Sequence, residues 1–253
     1  MGPPIPAGVS NRHVHLSEED LAKLFKNGLT KWRDLSQPGQ FAAQETVILA
    51  GPKGTLEKVR VLGPARKRSQ AEITVSDAYQ LGVAALVRES GKIAGTPGIT
   101  IIGSDGSVQI DEGVIVAQRH LHMTPEDAEV FKVKDGDLVE IAAGEARALI
   151  FDQVIVRVSP DYQLAFHIDF EEANAAGLKQ DDPVRLVGLS RSSRIDAQVT
   201  EEPANRQGPG LTLITEEVAR QAKGSLYLTP GGLITPLARD MIRERGIEVI
   251  TLK

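Results

Sequence analysis

One phrase is written twice in this chain. Residues 11–21 read NRHVHLSEEDL and residues 118–128 read QRHLHMTPEDA, an offset of 107. More blocks follow in the same order: ETVILAG (45–51) beside DLVEIAAG (137–144), and KVRVLGP (58–64) beside QVIVRVSP (153–160). EITVSDAYQLGV (72–83) then pairs with HIDFEEANAAGL (167–178) at an offset of 95. Chance similarity among small, common residues would not preserve this order. A duplication fixes the architecture before any single element is assigned: the fold must be one unit built twice.

The two copies share a local pattern. Each H-x-H phrase reads as extended and leads into a helix, with Ser17 or Thr124 as N-cap and Asp20 or Asp127 three residues on; Pro125 suits the first helical position. Short β-rich runs bounded by glycine and proline come next. A short capped helix ends each unit, with Asp169 and Glu172 marking its start in the second. GITIIGSDGSVQI (98–110) reads as a hairpin with a Ser-Asp-Gly turn. No dinucleotide-binding or phosphate-loop glycine pattern is present. The expected fold is mainly β with short helices. It comprises two tandem-repeat β-barrel domains, 1–112 and 113–194, and a linker plus small α/β C-terminal extension, 195–253.

In the last segment, VTEEPANRQGPG (199–210) reads as a linker. Thr215 and Thr235 are the expected caps of two helices, Leu237, Met241 and Ile242 the apolar stripe of the second, Gly246 its stop, and IEVITL a closing strand. About 45 residues make a marginal independent core, so this extension is expected to govern assembly rather than chemistry. At the other end, residues 1–7 hold Pro3, Pro4 and Pro6, too short and proline-rich for a targeting helix. Their removal is expected to leave localisation unchanged.

The duplication also sorts the histidines. The chain has five, and four lie in the two H-x-H phrases: His13, His15, His120 and His122. In a strand, residues i and i+2 share a face, so each phrase sets two imidazoles side by side. The fifth, His167, aligns with Glu72. Two trios result, His13–His15–Glu72 and His120–His122–His167, each leaving room for water or substrate in the manner of a catalytic metal site. Imidazole and carboxylate without sulfur suit zinc, with cobalt, nickel and iron also chemically acceptable. A lone H-x-H is often a polar strand edge; two at equivalent repeat positions, each with a matched third ligand, are not.

Composition removes several alternatives. Without cysteine there is no disulfide, thiolate metal site or cysteine nucleophile, which fits a cytoplasmic protein. A net charge of −5 and 4% aromatic residues argue against a nucleic-acid partner, and no apolar run is long enough to span a membrane.

With these motifs in hand, the chain resembles the PduL-type phosphotransacylases. NRHVHLS, DLSQPGQFAAQETV (34–47), VLGPARKRSQAEI (61–73), VAQRHLHMTPEDA (116–128) and FHIDFEEANAAG (166–177) carry the likeness, over about Ser10 to Leu189. Leu86, where that pattern has proline, is a departure expected to be tolerated. The resemblance implies two β-barrels with a dinuclear zinc site between them, two zinc ions per chain. It also implies interconversion of acyl-CoA and phosphate with acyl phosphate and CoA, the acyl group being propanoyl or acetyl. The two trios match the family's zinc ligands. Arg66 matches its phosphate-holding arginine, while Lys67 and Arg68 read as solvated charges. Ser10, Arg60, Leu62 and Asn174 match positions that line the CoA site, and Arg147 is a further candidate for a CoA phosphate. Members often serve bacterial microcompartments, so shell or enzyme partners and a homo-oligomer are expected. Without a cysteine, direct attack of phosphate on the thioester is the expected route. Two readings compete: a dinuclear metallo-phosphohydrolase, and a non-catalytic metal-binding microcompartment component.

Overall fold

The computed structural model describes residues 2–190, 211–222 and 225–251; the expected 199–210 linker and the point near residue 194 where the repeat should end lie outside them. The chain divides into a unit of residues 1–199 and one of 200–253, described separately below.

The first unit is built mainly of strands, as expected. Its strands are β1 (Ile5–Ser10), β2 (His13–Ser17), β3 (Lys31–Asp34), β4 (Phe41–Ala50), β5 (Thr55–Arg66), β6 (Gln70–Glu72), β7 (Val87–Arg88), β8 (Ile99–Ile102), β9 (Ser107–Ile110), β10 (Val114–Ala117), β11 (His120–Met123), β12 (Leu138–Ala143), β13 (Leu149–Val158), β14 (Ala165–Asp169) and β15 (Pro183–Leu189). Four one- to two-turn helices interrupt them: α1 (Glu18–Leu24), α2 (Val75–Leu81), α3 (Pro125–Phe131) and α4 (Phe170–Ala176). Their starts follow the cap residues. Ser17 accepts from the Asp20 amide, Thr124 and Asp127 form a reciprocal capping box before Pro125, and Asp169 with Glu172 forms another. Gly82 and Gly177 end α2 and α4 in the left-handed conformation that favours glycine.

Strands β1-β14-β11-β13-β12-β15 close into a six-stranded barrel. Strands β7-β10-β6-β2-β5-β4-β8-β9, with β3 on β4, form a nine-stranded half-barrel. The duplication is visible in the pairing. β2 lies parallel to β5 and antiparallel to β6; β11 lies parallel to β13 and antiparallel to β14. Each sheet encloses one apolar core, around Val14, Leu49, Val61 and Ile101 in the half-barrel and Leu121, Ile141, Val156 and Phe166 in the closed barrel.

The strand preceding each H-x-H phrase crosses to the other sheet. β1 pairs with β14 in the closed barrel, Ala7 opposite Phe166 and Gly8 opposite His167. β10 pairs with β6 in the half-barrel, Val114 opposite Ala71 and Ile115 opposite Glu72. The two pairings obey the repeat offsets, so the exchange is reciprocal. Ile5 and Ala7 are fully buried in the closed barrel's core, and Val114 in the other. Ile5 and Ala7 therefore carry core, a role that their sequence alone did not disclose.

The second unit is a three-stranded parallel sheet, β16 (Leu211–Ile214), β17 (Leu226–Ile234) and β18 (Val249–Thr251), with α5 (Glu216–Gln221) and α6 (Pro236–Arg245). Thr215 and Thr235 cap the helices and Gly246 ends the second, as expected. One expectation is corrected. Leu237 is 65% exposed, whereas Ala238, Met241 and Ile242 face the core. The buried stripe thus begins one residue later, because i, i+3 and i+4 share a helix face. No helix among the described residues is long and apolar enough to cross a membrane.

Candidate metal and substrate site

Strand register assembles the site. On β2, β5 and β6, His13 lies opposite Arg60 on one side and Glu72 on the other. On β11, β13 and β14, His120 lies opposite Ile155 and His167. The side chains of each trio therefore converge, as i and i+2 of the H-x-H strand meet a cross-strand third group.

In the first trio, His13 Nε2 is 3.5 Å and His15 Nε2 is 3.9 Å from the Glu72 carboxylate. The three ligand atoms all lie within 4.8 Å of one another. His13 Nδ1 donates to the Asn11 carbonyl at 2.8 Å, which turns the Nε2 lone pair toward Glu72. A lone pair and a carboxylate oxygen at this distance require a cation between them, a proton or a metal. The titration behaviour agrees. Burial alone would depress His13, yet the Glu72 carboxylate raises it. Burial works against ionised Glu72, yet His13, His15 and Ser90 hold its carboxyl well below the usual range. Burial and the neighbouring His13 push His15 down to about 3.

The second trio repeats the arrangement with three imidazoles. His120 Nδ1 donates to the Gln118 carbonyl at 2.9 Å. The His120 and His167 rings stack at 5.0 Å, and His122 lies 4.6 and 4.9 Å from them. Burial lowers His120, and burial with neighbouring charge lowers His122 to about 2 and His167 to about 3. Both ring nitrogens of His122 and Nδ1 of His15 are buried without a hydrogen-bond partner among the described residues. Unpartnered buried imidazoles of this kind cost about 1–3 kcal/mol each unless a ligand takes their lone pairs. The His13–His15–Glu72 donor set thus fits a borderline divalent metal.

Both trios open on one cavity of about 910 Å³. Ser10, Arg60, Leu62 and Arg66 line it too, so sequence reading and structure bring ten candidate residues to one place. Asn174 and Arg147 are not among its lining residues; both are exposed, and Arg147 packs beside Gly177 at the end of α4. Arg66 donates to Ser90 Oγ at 3.2 Å, and burial lowers its pKa. Arg68 instead pairs with Glu112 at the surface.

Other residues of the site had no signal in the repeat. Ser90 Oγ at 2.8 Å and Gln70 Nε2 at 2.6 Å both donate to Glu72 Oε1. Gln37, buried in the loop before β4, lies 3.4 Å from His167 Nε2 and also holds the backbone of Gln163. Tyr162 stacks on His122 at 4.1 Å. At the cavity's mouth Trp32, the chain's single tryptophan, is 55% exposed between the guanidinium groups of Arg33 and Arg60.

These features define a duplicated β-barrel protein whose histidine- and carboxylate-lined cavity can hold metal. The phosphate propanoyltransferase family matches residues 6–179. A phosphate propanoyltransferase of Thermotoga maritima is 55% identical over 188 residues, 73% of this chain and 90% of the relative. Those of Salmonella arizonae and Rhodopseudomonas palustris are 54% and 50% identical, spanning 89% and 81% of those relatives. The chain belongs to the phosphate propanoyltransferase family and is an enzyme of the phosphate acyltransferase type.

Proposed function

We propose that this enzyme interconverts acyl-CoA and phosphate with acyl phosphate and CoA, the acyl group being propanoyl or acetyl. His13, His15 and Glu72 would hold one zinc ion, and His120, His122 and His167 a second. The observation that carries this reading is the convergence of two register-equivalent trios and Arg66 on one large cavity. A bound divalent metal supplies Lewis acidity toward thioester and phosphate oxygens and toward the departing thiolate.

The chain's own groups supply the rest. Arg66, fixed by Ser90, presents a planar fork that suits two phosphate oxygens at once. Held there, a phosphate oxygen is aimed at the thioester carbonyl. The new C–O bond forms, the C–S bond breaks, and CoA leaves as thiolate. Phosphate is already largely ionised near neutral pH, so no strong base is required. The absence of cysteine favours this direct displacement over an acyl-thiol intermediate. Ser10, Arg60 and Leu62 are proposed to contact CoA. For Asn174 and Arg147, the family resemblance is the support. Homo-oligomer formation and a place within a microcompartment rest on that resemblance as well.

The test combines metal analysis of the purified chain with phosphate-dependent thiol release from propanoyl-CoA and acetyl-CoA. Two metals per chain with thiol release that requires phosphate is the expected result. Hydrolysis independent of phosphate would replace this reading with a phosphohydrolase or thioesterase. Metal without turnover of any of these substrates would leave a binding protein.

A further inference from the structure

The cavity holds a second guanidinium to which the repeat assigned no role. Arg157 on β13 lies opposite His122 of the H-x-H strand β11, in the register position that Leu62 on β5 holds opposite His15. Register neighbours share a sheet face, so Arg157 sits beside His122 on the cavity wall that Arg66 also lines. The first half carries its arginine at position 66 and leucine at the equivalent of 157. The cations are therefore distributed one per half, at non-equivalent places.

Most other arginines around the site are engaged, Arg33 only by stacking on Trp32. Arg12 pairs with Asp77 at 3.3 Å, and Arg119 with Glu172 at 3.0 Å. Arg60 donates to the carbonyls of Ala43 and Gln44, and Arg66 to Ser90. Arg157 has no hydrogen bond or ion pair among the described residues, although it is partly buried. A guanidinium offers five donors, and leaving them unsatisfied in a recess is costly. Its close company worsens this. Arg66, a second cation, lines the same cavity. Two guanidinium groups beside neutral imidazoles make a local field that a compact dianion relieves.

We propose that Arg157 is a second phosphate-binding residue, so that one guanidinium from each half of the duplicated unit grips the same substrate phosphate. This inference rests on the transacylase reading above. Both guanidinium groups line one cavity, and a tetrahedral oxyanion can offer separate oxygen pairs to two planar forks. The phosphates of CoA are the other source of the same chemistry, and the experiment separates the two.

The test uses the full-length, metal-loaded chain in the phosphate-dependent thiol-release assay. Arg157→Gln removes the charge, and Arg157→Leu installs the residue found at the equivalent position of the first half. Either should raise the KM for phosphate roughly 10- to 100-fold, the effect expected for a lost hydrogen bond to a charged group. The KM for acyl-CoA should stay within about twofold of wild type. Arg157→Lys should recover little, because lysine lacks the fork. An unchanged phosphate KM in variants with full metal content overturns the inference while leaving the transacylase reading intact. A raised acyl-CoA KM that disappears with an acyl-pantetheine thioester also overturns it, by assigning Arg157 to the nucleotide phosphates. If the wild type shows no phosphate-dependent turnover, the transacylase reading fails by itself. Protection of wild type but not Arg157→Gln from thermal unfolding by inorganic phosphate then still decides for the site, and equal protection decides against it.

Discussion

Ser90 joins two parts of the site that have different tasks. Its hydroxyl donates to Glu72 Oε1 and accepts from Arg66 and Gln70, so the proposed metal ligand Glu72 and the proposed phosphate-binding Arg66 share one anchor. Ser90→Ala should weaken metal binding roughly 10- to 100-fold, as loss of groups that orient ligands does. Chelator competition measures this, and the phosphate KM should rise in parallel. Unchanged values for both would show that Glu72 and Arg66 are held by packing. Removing the proposed ligands themselves should have larger effects. His13→Ala or His120→Ala should each lower bound metal toward half and activity by orders of magnitude, read by metal analysis beside thiol release. The trios were legible in the sequence because duplication placed Glu72 opposite His167, and two H-x-H phrases supplied the rest. Ser90, Gln37 and Tyr162 were not. They reach the site from segments outside the aligned blocks, and nothing in their spacing marks them. Arg157 lay inside a matched block, but its equivalent, Leu62, has no charge to draw the comparison.

At the scale of elements, the cap residues announced every helix start in the first unit, because Ser, Thr or Asp before a helix with an acidic residue three positions later satisfies the same free amides each time. The crossing of β1 and β10 left no such trace. Pairing between distant strands depends on edges and register, which have no local pattern in one sequence. Two experiments bear on the exchange. Ile5 is fully buried in the closed barrel, so Ile5→Ala should cost about 2–5 kcal/mol, measured by denaturant unfolding. A loss under about 0.5 kcal/mol would mean that β1 packs only loosely. Chains cut between residues 112 and 113 should each be poorly folded alone, since each carries the strand the other sheet needs. Co-expression should restore a soluble, metal-binding pair, seen by size-exclusion chromatography. A half that folds by itself would contradict mutual completion.

For the whole molecule, acid stability follows from the buried histidines. His15, His122 and His167 titrate at about 3, 2 and 3 when folded, against 6.5 when free. Below pH 6.5 the unfolded chain therefore binds protons that the folded chain refuses, and stability falls as pH falls, by up to about 1.4 kcal/mol per unit for each group. His13, raised by Glu72, opposes this with stability that is present in acid and lost as pH rises through its folded value. His120 is lowered as well, and four groups outweigh one, so the Tm of chelator-treated protein should drop between pH 7 and pH 5; a rise would contradict neutral buried imidazoles. A chain ended near Arg194 keeps every candidate ligand and should retain metal and transacylase chemistry while changing its assembly state, tested by light scattering beside the activity assay. A folded, metal-bearing but inactive truncation would bring the C-terminal unit into the site. The crossing of β1 has one more consequence, in the order in which the chain is made. Ile5 pairs with Val184, 179 positions later. At about 5–20 residues per second, a ribosome needs roughly ten to forty seconds to supply that partner. For most of that interval, until β14 is made, the first strand has neither of its neighbours, and both of its hydrogen-bonding edges are open to other nascent chains. Translation speed between residues 10 and 190 thus sets how long each new molecule is exposed to aggregation.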